Sequence, residues 1–178
     1  MTRYISLLKG INVGGHKKIL MKDLKSLFEA LGFTCVATYI QSGNVVFESE
    51  KTTLETEKLI SLKINETYAF EVAVIVIPKL EYISIIKNNP LAKEDLAINQ
   101  LHISFLKKRP LDEKTIKLKN TDFGNTEYHL TDQCIYIKCL GKYSDSKLNN
   151  GKIEKTLKVN ATTRNWKTSL KILEFLNS

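Results

Sequence analysis

The chain turns at Lys9-Gly10-Ile11-Asn12-Val13-Gly14-Gly15-His16-Lys17-Lys18, a glycine-rich stretch between an apolar run and an amphipathic segment. Residues 2–8 before it are typical of a β-strand. Gly32 further on stands where a helix ends at its C′ position. Between the loop and Gly32, a helix is predicted by apolar residues at helical spacing, namely Met21, Leu24, Leu27, Phe28 and Leu31.

A hairpin follows this helix. Residues 34–41 and 44–48 are rich in β-branched and aromatic side chains, and Ser42-Gly43 between them is typical of a hairpin turn. The tip is polar, because Gln41, Ser42 and Asn44 surround the glycine. In a βαββ unit, the fold is able to bring this tip close to the end of the first strand.

A second helix and a fourth strand complete a first domain. Thr52-Thr53-Leu54-Glu55 has the form of a capping box and predicts a helix to about residue 67, with Leu59 and Leu62 in the core. Residues 70–77 form a strand that is apolar on both faces, so we expect both faces to be covered. The order βαββαβ predicts an α+β domain of ferredoxin-like (α/β plait) architecture, with an antiparallel sheet.

The second half is predicted to be another plait-like α+β domain. Residues 79–88 form a connecting helix that Asn88-Asn89-Pro90 ends, so we place the two domains at 1–88 and 89–178. The order of elements repeats, but no sequence repeat between the two domains is evident. The predicted elements are a strand at 100–106, a helix at 110–118, a hairpin of strands at 126–130 and 133–140, a weak helix at 146–159 and a C-terminal helix.

The C-terminal helix is predicted to begin at Thr162 or Thr163, since either side chain is able to cap it. His102 alternates onto the polar face of its strand, so we expect it to be exposed. The stripe that the helix is predicted to bury consists of Trp166, Leu170, Leu173 and Leu176.

We expect the protein to be cytoplasmic. The chain has 178 residues, of which 43% are hydrophobic, and it shows no leader peptide and no apolar run long enough for a membrane span. No metal site is predicted, because the cysteines lack C-x-x-C spacing and the histidines are scattered. The net charge of +8 lies mostly in the second half.

Three polar segments predict a site for a small anionic or phosphorylated ligand. The glycine-rich loop fits neither G-x-x-x-x-G-K-[ST] nor G-x-G-x-x-G, so its amides form either an anion nest or a structural turn, and both remain open. Thr162-Thr163-Arg164-Asn165-Trp166 is interpreted as a helix start, whose dipole attracts anions. We predict that the loop, the tip and this segment surround one hollow. The candidate residues are Lys9, Gly10, Asn12, Gly14, Gly15, Gln41, Ser42, Asn44, Thr163, Arg164 and Asn165.

Other functions stay open at this point. No Ser-His-Asp order, carboxylate pair or activated cysteine is evident, so catalytic residues, cofactors and enzyme status are left unassigned. The basic second half favours a nucleic-acid-binding module as an alternative, although the aromatic pair of RNP-like sheets is absent. A structural or interaction protein is a third reading, and the oligomeric state is open.

Taken together, residues 7–15, 38–47 and 161–168 resemble the domain-of-unknown-function family numbered 1697. The combination is specific, although each segment alone is weak. The resemblance implies a cytosolic protein of two small α/β plait-like domains, and it implies no activity, substrate or cofactor. Lys9 stands where the family commonly has arginine, which implies that a bidentate anion contact is lost while the charge stays.

Overall fold

The computed structural model describes residues 1–92 and 98–178, and it divides into two compact units. The first unit comprises Met1–Ser84 and Lys171–Ser178, and the second comprises Ile85–Leu170. Each unit has a four-stranded antiparallel sheet with helices, so the predicted α+β class with two ferredoxin-like subdomains is confirmed. The domain boundary near residue 88 stays a prediction.

The first unit follows the predicted order βαββαβ. Its sheet has the strand order β2-β3-β1-β4, with β1 in the interior, where Ser6 lies between Val45 and Val76. The elements are β1 (Thr2–Leu8), α1 (Met21–Ala30), β2 (Thr34–Tyr39), β3 (Asn44–Ser49), α2 (Thr53–Tyr68) and β4 (Val74–Pro78), and α3 (Lys79–Lys87) comes next in the chain.

Helix α2 starts at the predicted capping box but packs through a different face. Thr52 N donates to Glu55 Oε2 at 2.8 Å, and Glu55 N donates to Thr52 Oγ1 at 3.4 Å. The prediction of Leu59 and Leu62 as core residues is wrong, since Leu59 is half-buried and Leu62 is 49% exposed. The residues that share the buried face at helical spacing are Thr56, Glu57, Ile60 and Ile64.

The core of the first unit lies between its sheet and helices α1 and α2. Phe28 and Phe47 meet edge to face with ring centroids 5.3 Å apart, and Ile60 and Ile64 of α2 belong to the same cluster. Val74 and Val76 of β4 face this cluster, and the alternate residues Ile75 and Ile77 are buried as well. Both faces of β4 are therefore covered, as its composition predicts.

The second unit has the same topology as the first. Its sheet order is β6-β7-β5-β8, and β5 takes the interior place of β1. The elements are β5 (Leu101–Leu106), α4 (Asp112–Lys119), β6 (Glu127–Leu130), β7 (Cys134–Lys138), α5 (Asn150–Leu157) and β8 (Ala161–Asn165), and α6 (Trp166–Asn177) comes next in the chain.

Strand β8 corrects the sequence interpretation of this region. Residues 161–165 pair with β5 in antiparallel register, with Thr163 opposite Ser104, so the predicted helix start at Thr162 or Thr163 is wrong. The threonines are β-branched and suit a strand whose partner is already in place, whereas in isolation they also suit helix caps. The helix begins at Trp166, and Asn165 Oδ1 accepts from Thr168 N at 2.8 Å.

Two smaller expectations also change. His102 is half-buried rather than exposed, because its ring stacks on Tyr143 with centroids 4.8 Å apart. Helix α5 begins only at Asn150, where the Asn149 side chain caps it by accepting from Lys152 N at 3.0 Å. The predicted α6 stripe is only partly buried: Trp166 and Leu176 are buried, whereas Leu170 and Leu173 are half-buried.

Candidate functional site in the first unit

The glycine-rich loop and the hairpin tip are held together by Asn12. Its Oδ1 accepts from Ile19 N at 2.9 Å, and its Nδ2 donates to Ile19 O and to Gln41 O, each at 2.9 Å. Both amide protons are thus engaged by backbone oxygens. Asn12 closes the loop on itself and attaches it to the tip, which is the structural role that the sequence left open.

The backbone of the tip lies directly against the end of β1. Leu8 N donates to Gly43 O at 2.8 Å. A Cβ added to Gly43 would lie 2.7 Å from Leu8 Cβ and 2.8 Å from Ile11 Cδ1, and Gly43 has a φ of +76°. Only glycine fits this position without strain. The predicted proximity of the loop and the tip is therefore present within the first unit.

The two polar side chains of the tip beside Gly43 support the turn. Asn44 is buried, and its Nδ2 donates to Tyr39 O at 3.0 Å and to Ser42 Oγ at 2.9 Å. Gln41, by contrast, is exposed, and its carbonyl receives the Asn12 amide. Gln41 is the tip residue whose side chain faces solvent beside the loop.

The loop amides are partly used by the loop itself. His16 N donates to Val13 O at 3.0 Å across Gly14-Gly15, and both glycines have positive φ, as a type I′ turn requires. Asn12 N donates to Lys17 O at 3.2 Å. These bonds favour a structural turn for the glycines rather than an anion nest.

Basic side chains surround this turn. Lys18 is exposed, whereas Lys17 Nζ donates to Glu71 O at 2.6 Å. Lys9 is half-buried at the end of β1, and its backbone N donates to Ala73 O at 3.0 Å. Lys18 borders a cavity of the first unit.

A cavity of about 300 Å³ lies where the loop, the tip and the start of α1 meet. Leu20 is the N-cap residue of α1, and in the described part of the chain no side chain caps this helix. The first amides of a helix have no intrahelical acceptor, so α1 presents donors and a positive dipole end here. The lining residues are Asn12, Gly15, Lys18, Ile19, Leu20, Met21 and Gln41.

The candidate residues of the third segment belong to the second unit. Thr163 Oγ1 donates to Asn150 Oδ1 at 3.1 Å and lies 3.0 Å from Tyr143 Oη. Arg164 is only 7% exposed, and its Nη1 donates to Thr162 Oγ1 at 2.7 Å. Within that unit the Thr163 hydroxyl and the Arg164 guanidinium therefore already have hydrogen-bond partners. Their participation in one hollow with the loop and the tip stays a prediction.

Sequence reasoning missed the part of the site that α1 contributes. Ile19, Leu20 and Met21 line the cavity, and only Met21 was expected, as a core residue of the helix. The available signal was Leu20, a residue without a hydrogen-bonding side chain at the position where a helix is usually capped.

Two kinds of feature are absent from the part of the chain that the structure describes, namely clusters of metal-ligating side chains and long apolar helices. Across residues 1–92 and 98–178, no group of three or more His, Cys, Asp or Glu side chains is placed to hold a metal ion. Within the same residues, every helix is too short or too polar to reach across a bilayer.

Comparison with known proteins identifies the family. The family described as "Protein of unknown function (DUF1697)" matches residues 1–136. The chain belongs to this family. A solved structure described as conserved bacterial protein SP0830 from Streptococcus pneumoniae is similar to this DUF1697 protein, with 24% identity, a TM-score of 0.78 and 98% of each chain covered. That likeness concerns the fold. The comparison with curated proteins gave no match.

Proposed function

We propose that this DUF1697 protein binds a small anionic or phosphorylated ligand at the cavity of the first unit. The observation that carries the proposal is the meeting of an uncapped helix start, the Lys18 side chain and the Gln41 side chain around one cavity of about 300 Å³. That volume suits a small organic molecule. Leu20 and Met21 supply an apolar wall for its uncharged part.

The start of α1 is the strongest electrostatic feature of this proposal. A helix N-terminus stabilises an anion by about 0.3–1 kcal/mol at an exposed site, and Lys18 adds a positive charge at the same cavity. Asp23 in the first turn places a carboxylate close by and opposes an incoming anion. Asn12 acts indirectly, because it fixes the loop against the tip and leaves the Gln41 side chain at the cavity.

Thr163, Arg164 and Asn165 stay predicted participants in ligand binding. We propose a cytoplasmic location, supported by three cysteines that form no disulfide, as is usual in a reducing compartment.

The test is a calorimetric titration with inorganic phosphate, glucose 6-phosphate, glucose and a nucleoside monophosphate. We expect saturable binding of phosphorylated compounds and none of glucose. Lys18→Ala is expected to weaken binding about tenfold. Asp23→Asn is expected to strengthen it about two- to fivefold, because a repelling charge near the helix start is removed. Lys58→Ala on the exposed surface of α2 is the matched control and is expected to change nothing.

Two results would refute this assignment. One is the absence of binding by every phosphorylated compound, and the other is equal weakening by Lys18→Ala and Lys58→Ala. Salt-dependent binding of single-stranded RNA together with no binding of small phosphates would favour the nucleic-acid alternative instead.

A further inference from the structure

Two connections are longer in the second unit than in the first. In the first unit, residues 31–33 join α1 to β2 and residues 50–52 join β3 to α2. In the second unit, the equivalent connections are residues 120–126 and residues 139–149. Lengthened loops on a conserved scaffold commonly carry binding sites.

These two long connections line an open cavity of about 420 Å³. Phe123 and Thr126 line it from the first connection, and Leu140, Lys142, Asp145 and Lys147 line it from the second. The apolar part of the lining consists of Phe123, which is buried, and Leu140, which is exposed. Side chains of the two connections leave this space unfilled.

Positive charge and apolar surface occur together in this cavity. A Cβ added to Gly124 would lie 3.8 Å from Lys147 Nζ, which places the ammonium group beside the backbone of the facing connection. Lys142 lines the same cavity, and Asp145 is the carboxylate that opposes the two lysines there. The Asp145 carboxylate accepts from Ser144 Oγ at 3.0 Å. The net charge of the ionisable side chains that line the cavity is positive.

A hydrogen bond joins the two connections at residues that line the cavity. Thr126 Oγ1 and Ser146 Oγ lie 3.1 Å apart and join the two connections, and Ser146 Oγ also accepts from Leu148 N at 3.1 Å. Cys139, which also lines the cavity, is buried. Side chains that are already held by hydrogen bonds lose little conformational entropy when a ligand enters, which favours binding.

We propose that this cavity is a second binding site, which takes a small organic anion with an aromatic or apolar body. The anionic group contacts Lys142 and Lys147, and the apolar body packs against Phe123 and Leu140. The site is independent of the cavity at α1, because it is formed entirely by residues of the second unit.

The test is a residue-resolved NMR titration with phenyl phosphate and with benzoate. Both probes carry an aromatic ring and an anionic group, whereas phenol lacks the charge and inorganic phosphate lacks the ring. We expect saturable shifts of the Gly124 and Gly141 amides with a dissociation constant of about 1 mM or tighter, and weaker binding of phenol and phosphate. Replacing both lysines, Lys142→Ala with Lys147→Ala, is expected to weaken binding about tenfold.

Lys155→Ala provides the matched control, since Lys155 is an exposed lysine on α5 and does not line the cavity. We expect this variant to bind both probes as the natural protein does. The proposal is overturned if neither probe shifts Gly124 and Gly141, or if the two-lysine variant and Lys155→Ala bind alike. It is also overturned if the probes shift only residues of the first unit, and that result would leave the site at α1 untouched.

Discussion

In the first unit Leu8 N donates to Gly43 O at 2.8 Å, and at the same place in the second unit Leu106 N donates to Gln133 O at 2.9 Å. The next residue repeats the match, because Lys9 N donates to Ala73 O and Lys107 N to Asn160 O. Each unit therefore brings the loop after its first strand against the tip of its hairpin. The units differ in what occupies that meeting point.

The second unit fills this point with its own carboxylates. Arg109 lies 3.4 Å from Asp112 and 3.4 Å from Asp132, and Asp132 belongs to the hairpin tip. These pairs are exposed, so each contributes only about 0–1 kcal/mol to stability. In the first unit the loop and tip instead adjoin the cavity beside Lys18 and the start of α1.

The largest expected difference between the units concerns the hairpin tip. Gly43→Ala combines a positive φ with close contacts to Leu8 and Ile11, so we expect a loss of about 2–4 kcal/mol in the free energy of unfolding. Gln133→Ala, at the equivalent exposed position, is expected to change it by less than about 0.5 kcal/mol. Urea denaturation of both variants measures this. Equal losses would mean that the two tips are constrained alike.

A second contrast lies in how each loop is tied to its tip. Asn12→Ala removes three hydrogen bonds to backbone groups, and we expect a loss of about 2 kcal/mol. Arg109→Ala removes two exposed ion pairs and is expected to cost less than about 1 kcal/mol. Thermal denaturation compares them. The interpretation of Asn12 as the closing residue fails if Arg109→Ala costs as much.

The pH dependence of stability is expected to differ because His102 occupies the place of Tyr4. In the first unit Tyr4 stacks on Phe47, and in the second His102 stacks on Tyr143. Burial lowers the pKa of His102 below its ordinary value of 6.5, so the unfolded chain takes up the proton first. Above pH 6.5 the contribution of neutral His102 to the stability of the fold is fully present. As the pH falls from 6.5 towards the lowered pKa of His102, this contribution is lost.

His102→Phe keeps an aromatic ring on Tyr143 and removes the titration. Urea denaturation from about pH 7.5 to about pH 5.5, the range in which histidine titrates, should show a steeper loss in the free energy of unfolding for the natural protein than for this variant. His16 and His129 are exposed and are retained in both proteins, so their contributions cancel. Parallel pH profiles would contradict the role of His102.

The smallest expected effect on stability is the same in both units and concerns one buried serine in each. Ser6 and Ser104 occupy equivalent sites on β1 and β5, both are fully buried, and among the described residues neither hydroxyl has a hydrogen-bond partner. A buried hydroxyl without a partner is costly, so Ser6→Ala and Ser104→Ala are each expected to leave stability unchanged or raise it by up to about 1 kcal/mol. A clear loss in either variant would show that its hydroxyl is satisfied.

Local patterns predicted most of the first unit, because its elements carry their own boundary signals. The capping box at Thr52 and the positive-φ Gly32 mark helix ends without reference to the rest of the chain. Strand β8 was missed because Thr162 and Thr163 suit both a helix cap and a strand. Their pairing with β5, which is remote in sequence, decides between the two.

The first strands of the two units share a short sequence match. Tyr4-Ile5-Ser6-Leu7-Leu8-Lys9 and His102-Ile103-Ser104-Phe105-Leu106-Lys107 share isoleucine, serine, leucine and lysine at matching positions, and the strand registers align these residues. The match is too short to indicate a repeat by itself. The equivalent hydrogen bonds of Leu8 and Leu106 show that the two strands occupy the same place in the two units.

The sequence predicted that the loop and the tip of the candidate site would meet, but it did not predict the hydrogen bonds that hold them together or the cavity beside them. The βαββ order indicated that the loop and the tip would meet, and Leu8 and Gly43 do so. The partners of Asn12 depend on the path by which the chain returns to Ile19, which residue spacing does not determine. The cavity depends in turn on an uncapped start of α1, which is visible only once the helix is placed.

The central claim is that the meeting of loop and tip binds an external anion in the first unit and the protein's own carboxylates in the second. An NMR titration with inorganic phosphate tests it on the natural protein and on a variant carrying both Asp112→Asn and Asp132→Asn. We predict that phosphate shifts the Gly15 and Lys18 amides in both proteins, and the Arg109 amide only in the variant. Phosphate that leaves Gly15 and Lys18 unmoved, or that shifts Arg109 equally in the natural protein, would contradict the account.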